Sequence, residues 1–269
     1  MKLKLQGQDA YCYTGGKTFD PALPVMLFLH GAQNDHSVWG LQSRYFAHHG
    51  YAVLAPDLPG HGRSGGKALT SVEAMRDWML ALLDACGVQQ VNLVGHSMGA
   101  LVALDMAGHA PQRALRLAML GVAYPMKVSQ GLLDAALNDT ARAITMVNVW
   151  SHSTLAPKPS APGPGFWVQG MSERLMQRVA AGSSEAIFHI DLSACDRYAG
   201  GEQAAAAVQC PTLLVLGTRD SMTPPKRAAT LRSAFPQGGL VNLECGHQMM
   251  AEAPDEVLDA LRRFMASPS

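Results

Sequence analysis

The sequence predicts an α/β chain, with a mostly parallel sheet and helices on both faces. Short apolar runs closed by glycine or proline recur along it, and stretches of helical period separate them. The alternation breaks once, over a long middle segment without a convincing strand. Strands that alternate with helices imply a parallel sheet covered on both sides. The chain has 269 residues, which is one large domain or one domain with an insert. A hydrophobic fraction of 48% against 16% charged supplies a sizeable core and argues against disorder.

The first buried strand is Pro24 to His30, six apolar residues ending in a glycine-containing loop. Tyr51 to Ala55, closed by Pro56, is the second, and Val91 to Gly95 is the third. Trp39 anchors the first helix. Val72, Met75, Met79, Leu82 and Leu83 form one stripe of a helix from Val72 to Cys86, with Ser71 as N-cap and Gly87 as stop. Met98 to Ala110 is a further helix, ended by Pro111. Leu115 to Gly121 is the fourth strand.

The pattern resumes with a strand at Pro211 to Gly217, a helix at Pro225 to Phe235 and a strand at Gly239 to Leu243. Val257, Leu258, Ala260, Leu261, Phe264 and Met265 are the apolar stripe of the last helix. The middle holds helical patterns at Leu132 to Val149 and Ser172 to Ala181, and a breaker-rich stretch from Ala156 to Gly165. About 75 residues is too long for a plain loop between two strands. The economical division is a core of residues 1–124 and 201–269 with a helical cap, residues 125–200, inserted into it. Within the cap, Trp150, Phe166, Trp167 and Phe188 read as local core, and the methionines as gap-fillers.

Composition excludes several classes. Lysine plus arginine equals aspartate plus glutamate, 21 each, so no basic surplus points to nucleic acid or an anionic membrane. No apolar run is long enough to cross a bilayer, and the first residues show no apolar signal region. The five cysteines are odd in number and widely spaced, without a CxxC pair, which suits buried thiols in a reducing compartment better than disulfides or zinc. A cytoplasmic location follows as an expectation. His36, His48, His49, His109, His152 and His189 show no metal-ligand spacing.

The sharpest chemical signal is Gly95-His96-Ser97-Met98-Gly99, directly after a strand and directly before a helix. A nucleophile elbow needs that context: flanking glycines let the backbone turn tightly and leave the serine Oγ clear. The helix N-terminus behind Ser97 favours a developing oxyanion. The bland alternative is a serine that merely caps the helix. A serine hydroxyl needs a base, and the base needs an orienting acid. Asp220 stands after the strand ending at Gly217, and His247 between the last strand and the last helix. The order Ser97, Asp220, His247 is the one this architecture expects. Met98 N–H is one expected oxyanion donor. The loop His30-Gly31-Ala32-Gln33 supplies the other, Ala32 first and Gln33 as the alternative.

These features together resemble the α/β-hydrolase superfamily. The resemblance rests on His30-Gly31, on Asp57-Leu58-Pro59-Gly60-His61-Gly62-Arg63-Ser64, on the elbow, on Gly217-Thr218-Arg219-Asp220 and on Gly246-His247. It implies an α/β-hydrolase fold, a structural role for His61, and hydrolysis without cofactor or metal. Haloalkane dehalogenases and epoxide hydrolases of that superfamily carry aspartate at the elbow, so Ser97 argues against both. The chain looks most like small bacterial-type esterases and 3-oxoadipate enol-lactonase-like hydrolases, which implies a small-molecule ester or lactone as substrate. Carbon–carbon bond hydrolases of ring-cleavage products are the nearest alternative. A small-molecule receptor and a cofactor-free oxygenase on the same scaffold stand further off. The run after the elbow, Gly99-Ala100, lacks the repeated glycine frequent in perhydrolases. The cap matches no particular subfamily.

Overall fold

The computed structural model describes residues 1–153 and 167–267. The breaker-rich stretch and Phe166 lie outside the described residues. The chain opens with strands β1 (Lys2–Leu5) and β2 (Gln8–Tyr13), then β3 (Val25–Leu29), α1 (Gly40–Ala47), β4 (Ala52–Pro56), α2 (Val72–Ala85), β5 (Val91–His96), α3 (Met98–His109) and β6 (Ala114–Leu120). Helices α4 (Gln130–Asn138), α5 (Thr140–Ser151), α6 (Val168–Ala181), α7 (Ile187–Arg197) and α8 (Gly201–Ala207) lie between β6 and β7 (Thr212–Gly217). The chain ends with α9 (Ala229–Ala234), β8 (Gly239–Leu243), α10 (Met249–Glu252) and α11 (Pro254–Ala266).

Among the described residues the strands form one sheet in the order β1-β2-β4-β3-β5-β6-β7-β8. Every pairing from β4 to β8 is parallel, and only β1–β2 and β2–β4 are antiparallel. The central strands are apolar without alternation because both faces are covered: β3, β4 and β7 are buried at every position. One side packs on α2 and α3, the other on α1 and α11. Trp39 is fully buried just before α1, its ring 5.3 Å from Phe28. This is the predicted class, with a helical cap inserted between β6 and β7.

Local differences have local causes. The β1–β2 hairpin has no counterpart in the sequence reading, because exposed and buried residues mix along both strands: only Leu5 of β1 and Ala10, Tyr11 and Cys12 of β2 are buried. Its two-residue turn places Gln6 at φ 50° and Gly7 at φ 78°. The helical pattern from Leu132 to Val149 is two helices. Asp139 breaks it at φ −150° and caps the second by accepting from Arg142 N–H at 3.1 Å. The pattern from Pro225 to Phe235 begins as a 3-10 turn, Pro225–Ala228, before α9. Ser71 caps α2 as expected, accepting from Ala74 N–H at 3.1 Å.

The cap helices α4 to α7 bury a small cluster of their own, including Leu132, Ile144, Met176, Phe188 and Leu192. Phe188 thus is local core, whereas Trp150 and Trp167 are exposed at 39% and 52%. No helix among the described residues is long and apolar enough to cross a membrane.

Candidate active site

β5 runs straight into the elbow. Ser97 has φ 55° and ψ −118°, a left-handed conformation that costs a non-glycine residue about 1–3 kcal/mol. Ser97 N–H donates to Leu120 O at 2.9 Å, which pins the turn to β6. The flanking glycines are required by contact. A Cβ on Gly95 would collide with the backbone of Gly99 and Ala100, and one on Gly99 with the carbonyls of Leu29 and His30. Ser97 occupies the cap position of α3 but makes no side-chain cap bond. The bland capping role therefore does not account for it. It is half-buried while its neighbours on both sides are buried.

Asp220 and His247 leave the ends of β7 and β8. Gly217 lets the two loops converge: a Cβ there would lie 2.5 Å from Gly246 O. His247 Nδ1 is 2.8 Å from Asp220 Oδ2, so Nδ1–H donates to the carboxylate. Asp220 Oδ2 also accepts from Thr223 Oγ1–H at 2.7 Å. Its Oδ1 accepts the N–H groups of Met222 and Thr223 at 2.8 and 2.7 Å. Burial pushes the Asp220 carboxyl up, but His247 and Thr223 together outweigh it and hold it well below the usual carboxylate range. Thr223 is absent from the sequence reading. The only signal for it was a hydroxyl three residues after the acid.

His96 does more than fill space. Its Nε2–H donates to His247 O at 2.8 Å, and the two rings lie 4.7 Å apart. Burial, reinforced by His247, pushes the His96 imidazole down to about 3, so it stays neutral. Gly121, at φ 55°, gives both histidines room: a Cβ would stand 3.2 Å from His247 Nδ1 and 3.3 Å from His96 Nε2. His247 N–H donates to Ser151 O, at the end of the cap helix α5, at 2.7 Å.

The loop after β3 runs past the elbow. A Cβ on Gly31 would lie 3.3 Å from Ser97 Cβ. His30 shapes this loop, donating from Nδ1 to Gly31 O at 2.9 Å and accepting Leu58 N–H on Nε2 at 3.2 Å. Burial and the neighbouring His61 lower its pKa. Of the two donors expected here, Gln33 N–H is committed to Asp191 Oδ2 at 2.8 Å. Ala32 N–H has no acceptor among the described residues. Met98 is the first residue of α3, where helix geometry leaves N–H without an i−4 carbonyl. His61 is buried with structural bonds, to Pro59 O and Asp191.

Other features carry less. Asp35, His36 and Asp57 cluster within 4.8 Å, but their oxygens are already used by Ser37, Arg178, Arg63 and His36 itself. A groove of about 1450 Å³ runs between α1, α6 and α10, lined by Val38, Leu41, Trp167 and Met171 among others, and includes none of the predicted site residues. No two cysteines are joined, and burial raises the thiols of Cys12, Cys86, Cys195 and Cys210.

A family model described as the alpha/beta hydrolase fold matches residues 24–254. The chain belongs to the α/β-hydrolase fold family. It is 30% identical over 252 residues to a dihydrolipoyllysine-residue acetyltransferase component of an acetoin cleaving system from Pseudomonas putida. That match covers 89% of this chain and 63% of the relative, so the chain spans less than two thirds of that protein's length. The fold of this α/β-hydrolase superposes on the enol-lactonase from Burkholderia xenovorans LB400 with a TM-score of 0.84 at 19% identity, over 99% of this chain and 100% of that one. An esterase from Exiguobacterium antarcticum gives a TM-score of 0.81 at 17% identity, over 99% of each.

Proposed function

We propose that this α/β-hydrolase is a carboxylic ester hydrolase that acts on a small ester or lactone through Ser97, His247 and Asp220. The observation that carries the reading is the buried Asp220–His247 hydrogen bond, together with a serine held at φ 55° at the end of β5. With Nδ1–H given to Asp220, the imidazole keeps its Nε2 lone pair for the Ser97 hydroxyl. Ser97 Oγ attacks the carbonyl carbon as Nε2 takes its proton. The oxyanion is bound by Ala32 and Met98 N–H. His247 returns the proton to the leaving oxygen, which departs and leaves an acyl-enzyme. Water, deprotonated by His247, then attacks the acyl carbon, and His247 passes that proton to Ser97 Oγ as the Oγ–acyl bond breaks and the carboxylic acid leaves. The core, residues 1–124 and 201–269, carries the chemistry, and the cap, residues 125–200, selects the substrate. The likeness in fold to an enol-lactonase and an esterase supports this choice of substrate class.

The test is hydrolysis of chromogenic acyl esters, from acetyl to long chain, by wild type and Ser97→Ala. The variant should lose about 10⁴-fold or more in kcat with its fold intact. Undiminished hydrolysis by Ser97→Ala overturns the assignment. A wild type that takes a fluorophosphonate on Ser97 yet cleaves no ester would point instead to carbon–carbon bond hydrolysis or to a receptor.

A further inference from the structure

Asp191 lies on cap helix α7 and is fully buried, yet both bonds it accepts come from outside the cap. Its Oδ2 takes Gln33 N–H at 2.8 Å and His61 Nε2 at 2.9 Å. His61 Nδ1 lies 3.0 Å from Pro59 O. A carbonyl and a carboxylate can only accept, so both ring nitrogens carry protons and the pair is an imidazolium against a carboxylate. Asp191 Oδ1 is buried without a partner among the described residues. A buried carboxylate with one idle oxygen is costly, and the cap's own helices gain no hydrogen bond from it.

Its bonds converge on the loop that bears Ala32. Gln33 sits at φ 57°, and its N–H is held by Asp191. The Gln33 side chain donates from Nε2 to Met176 O of α6 at 3.1 Å, a second tie from the cap. The His61 ring packs against His30 at 5.1 Å, and His30 holds Gly31 O. The peptide units on both sides of Ala32 are therefore fixed: the one before it by His30 and Asn34 N–H on Gly31 O, and the one after it by Asn34 Nδ2 on Ala32 O and by the cap through Asp191 on Gln33 N–H. We propose that Asp191 is a positioning residue which, with His61, aims the Ala32 N–H at the developing oxyanion, so that catalysis requires the cap to be seated. This rests on the proposed serine hydrolysis. An anchor that drifts by about 1 Å can lower a rate by about 10²-fold without weakening ground-state binding.

The experiment compares wild type, Asp191→Asn and Asp191→Ala on a small activated ester, with active sites counted by fluorophosphonate titration. The expected result is a kcat per titrated site lower by about 10–10²-fold, with KM nearly unchanged. Affinity for a trifluoromethyl ketone, which forms a tetrahedral adduct, should fall by the same factor. A purely structural role would lower the number of active sites or the melting temperature and leave kcat per site and ketone affinity intact, which overturns the proposal. Nitrogen-15 NMR of the wild type at neutral pH adds a reading that needs no variant. Two protonated nitrogens on His61 are expected, and a neutral ring would remove the pair on which the proposal stands. Failure of the underlying reading is separate, because it would appear as wild-type hydrolysis that survives Ser97→Ala.

Discussion

The two sides of the elbow are built by different means. On the acid–base side, Asp220 takes its orienting bonds from Met222 and Thr223, two and three residues away, and holds His247 twenty-seven residues on. On the oxyanion side, the anchor of Gln33 lies 158 residues away, on a cap helix. The base loop also meets the cap: His247 and Gln248 N–H donate to Ser151 O, and buried Glu252 accepts both Gly246 N–H and Ser153 N–H. A carboxylate oriented by its own turn works wherever the strand ends place it. A loop that adds a distant carboxylate to its own bonds from His30 and Asn34 reaches its full set only when the two parts of the molecule are docked. The orientation of Asp220 should therefore tolerate cap damage better than that of the Gln33 peptide does.

The largest expected effect is on the local side. Asp220→Asn keeps the shape but lets the amide favour the wrong imidazole tautomer, and kcat should fall by about 10³–10⁴-fold. Thr223→Val removes one hydroxyl donor to Asp220 Oδ2 and leaves the backbone donors, so a loss of about tenfold is expected. Steady-state kinetics on one activated ester checks both. If Thr223→Val cost as much as Asp220→Asn, the local turn would not be what holds the acid. Combining Asp220→Asn with Asp191→Asn sharpens the contrast. Independent sides predict losses that add in free energy to within about 0.5 kcal/mol.

The elbow between the two sides offers a smaller effect of opposite sign. Ser97→Gly removes the proposed nucleophile and also removes the cost of a side chain at φ 55°. The expected gain is about 1 kcal/mol of stability, read from denaturant midpoints at constant m-value. An unchanged or lower midpoint would mean that the strained turn is compensated within its own contacts.

What could be read from the sequence follows the same division. β3, β4, β5 and β7 were visible because fully buried parallel strands are short continuous apolar runs, β6 and β8 because their runs are largely apolar though partly exposed, and α2 because its stripe and its Ser71 cap are local. Ser97, Asp220 and His247 stood at strand ends, where spacing along the chain reports position in space. Thr223 was hidden because a hydroxyl near an acid is too common to single out. Asp191 was hidden for a stronger reason. Nothing near it in the chain distinguishes it from any helical aspartate, and its role comes wholly from Gln33 and His61, which only docking brings near. The hairpin β1–β2 was hidden because its strands mix charged or polar residues with buried ones and lack the apolar run that marks the central strands. The break at Asp139 was missed because the apolar period continues across it.

The last contrast is in pH, and it sets His96 on the acid–base side against His61 on the oxyanion side. Burial and the neighbouring His247 ring outweigh the donated Nε2–H bond and leave His96 neutral in the fold, with its value pushed from 6.5 down to about 3. Below pH 6.5 the unfolded chain therefore binds a proton that the folded chain refuses, and stability is lost as pH falls toward 3. His30 and His152 are lowered by burial and act in the same direction. Burial also disfavours charge on His61, but Asp191 outweighs it and raises the imidazole above 6.5. Its contribution is complete below pH 6.5 and lost as pH rises through the folded value. His96→Gln keeps an N–H donor for His247 O but cannot titrate. Between about pH 4.5 and 6.5 it should flatten the stability profile by one proton, about 1.4 kcal/mol per pH unit, and leave the alkaline limb alone. His61→Gln should do the reverse. Denaturant unfolding across that range and on above pH 6.5 checks both, and an unchanged acid slope in His96→Gln would mean that His96 already carries its proton in the folded protein.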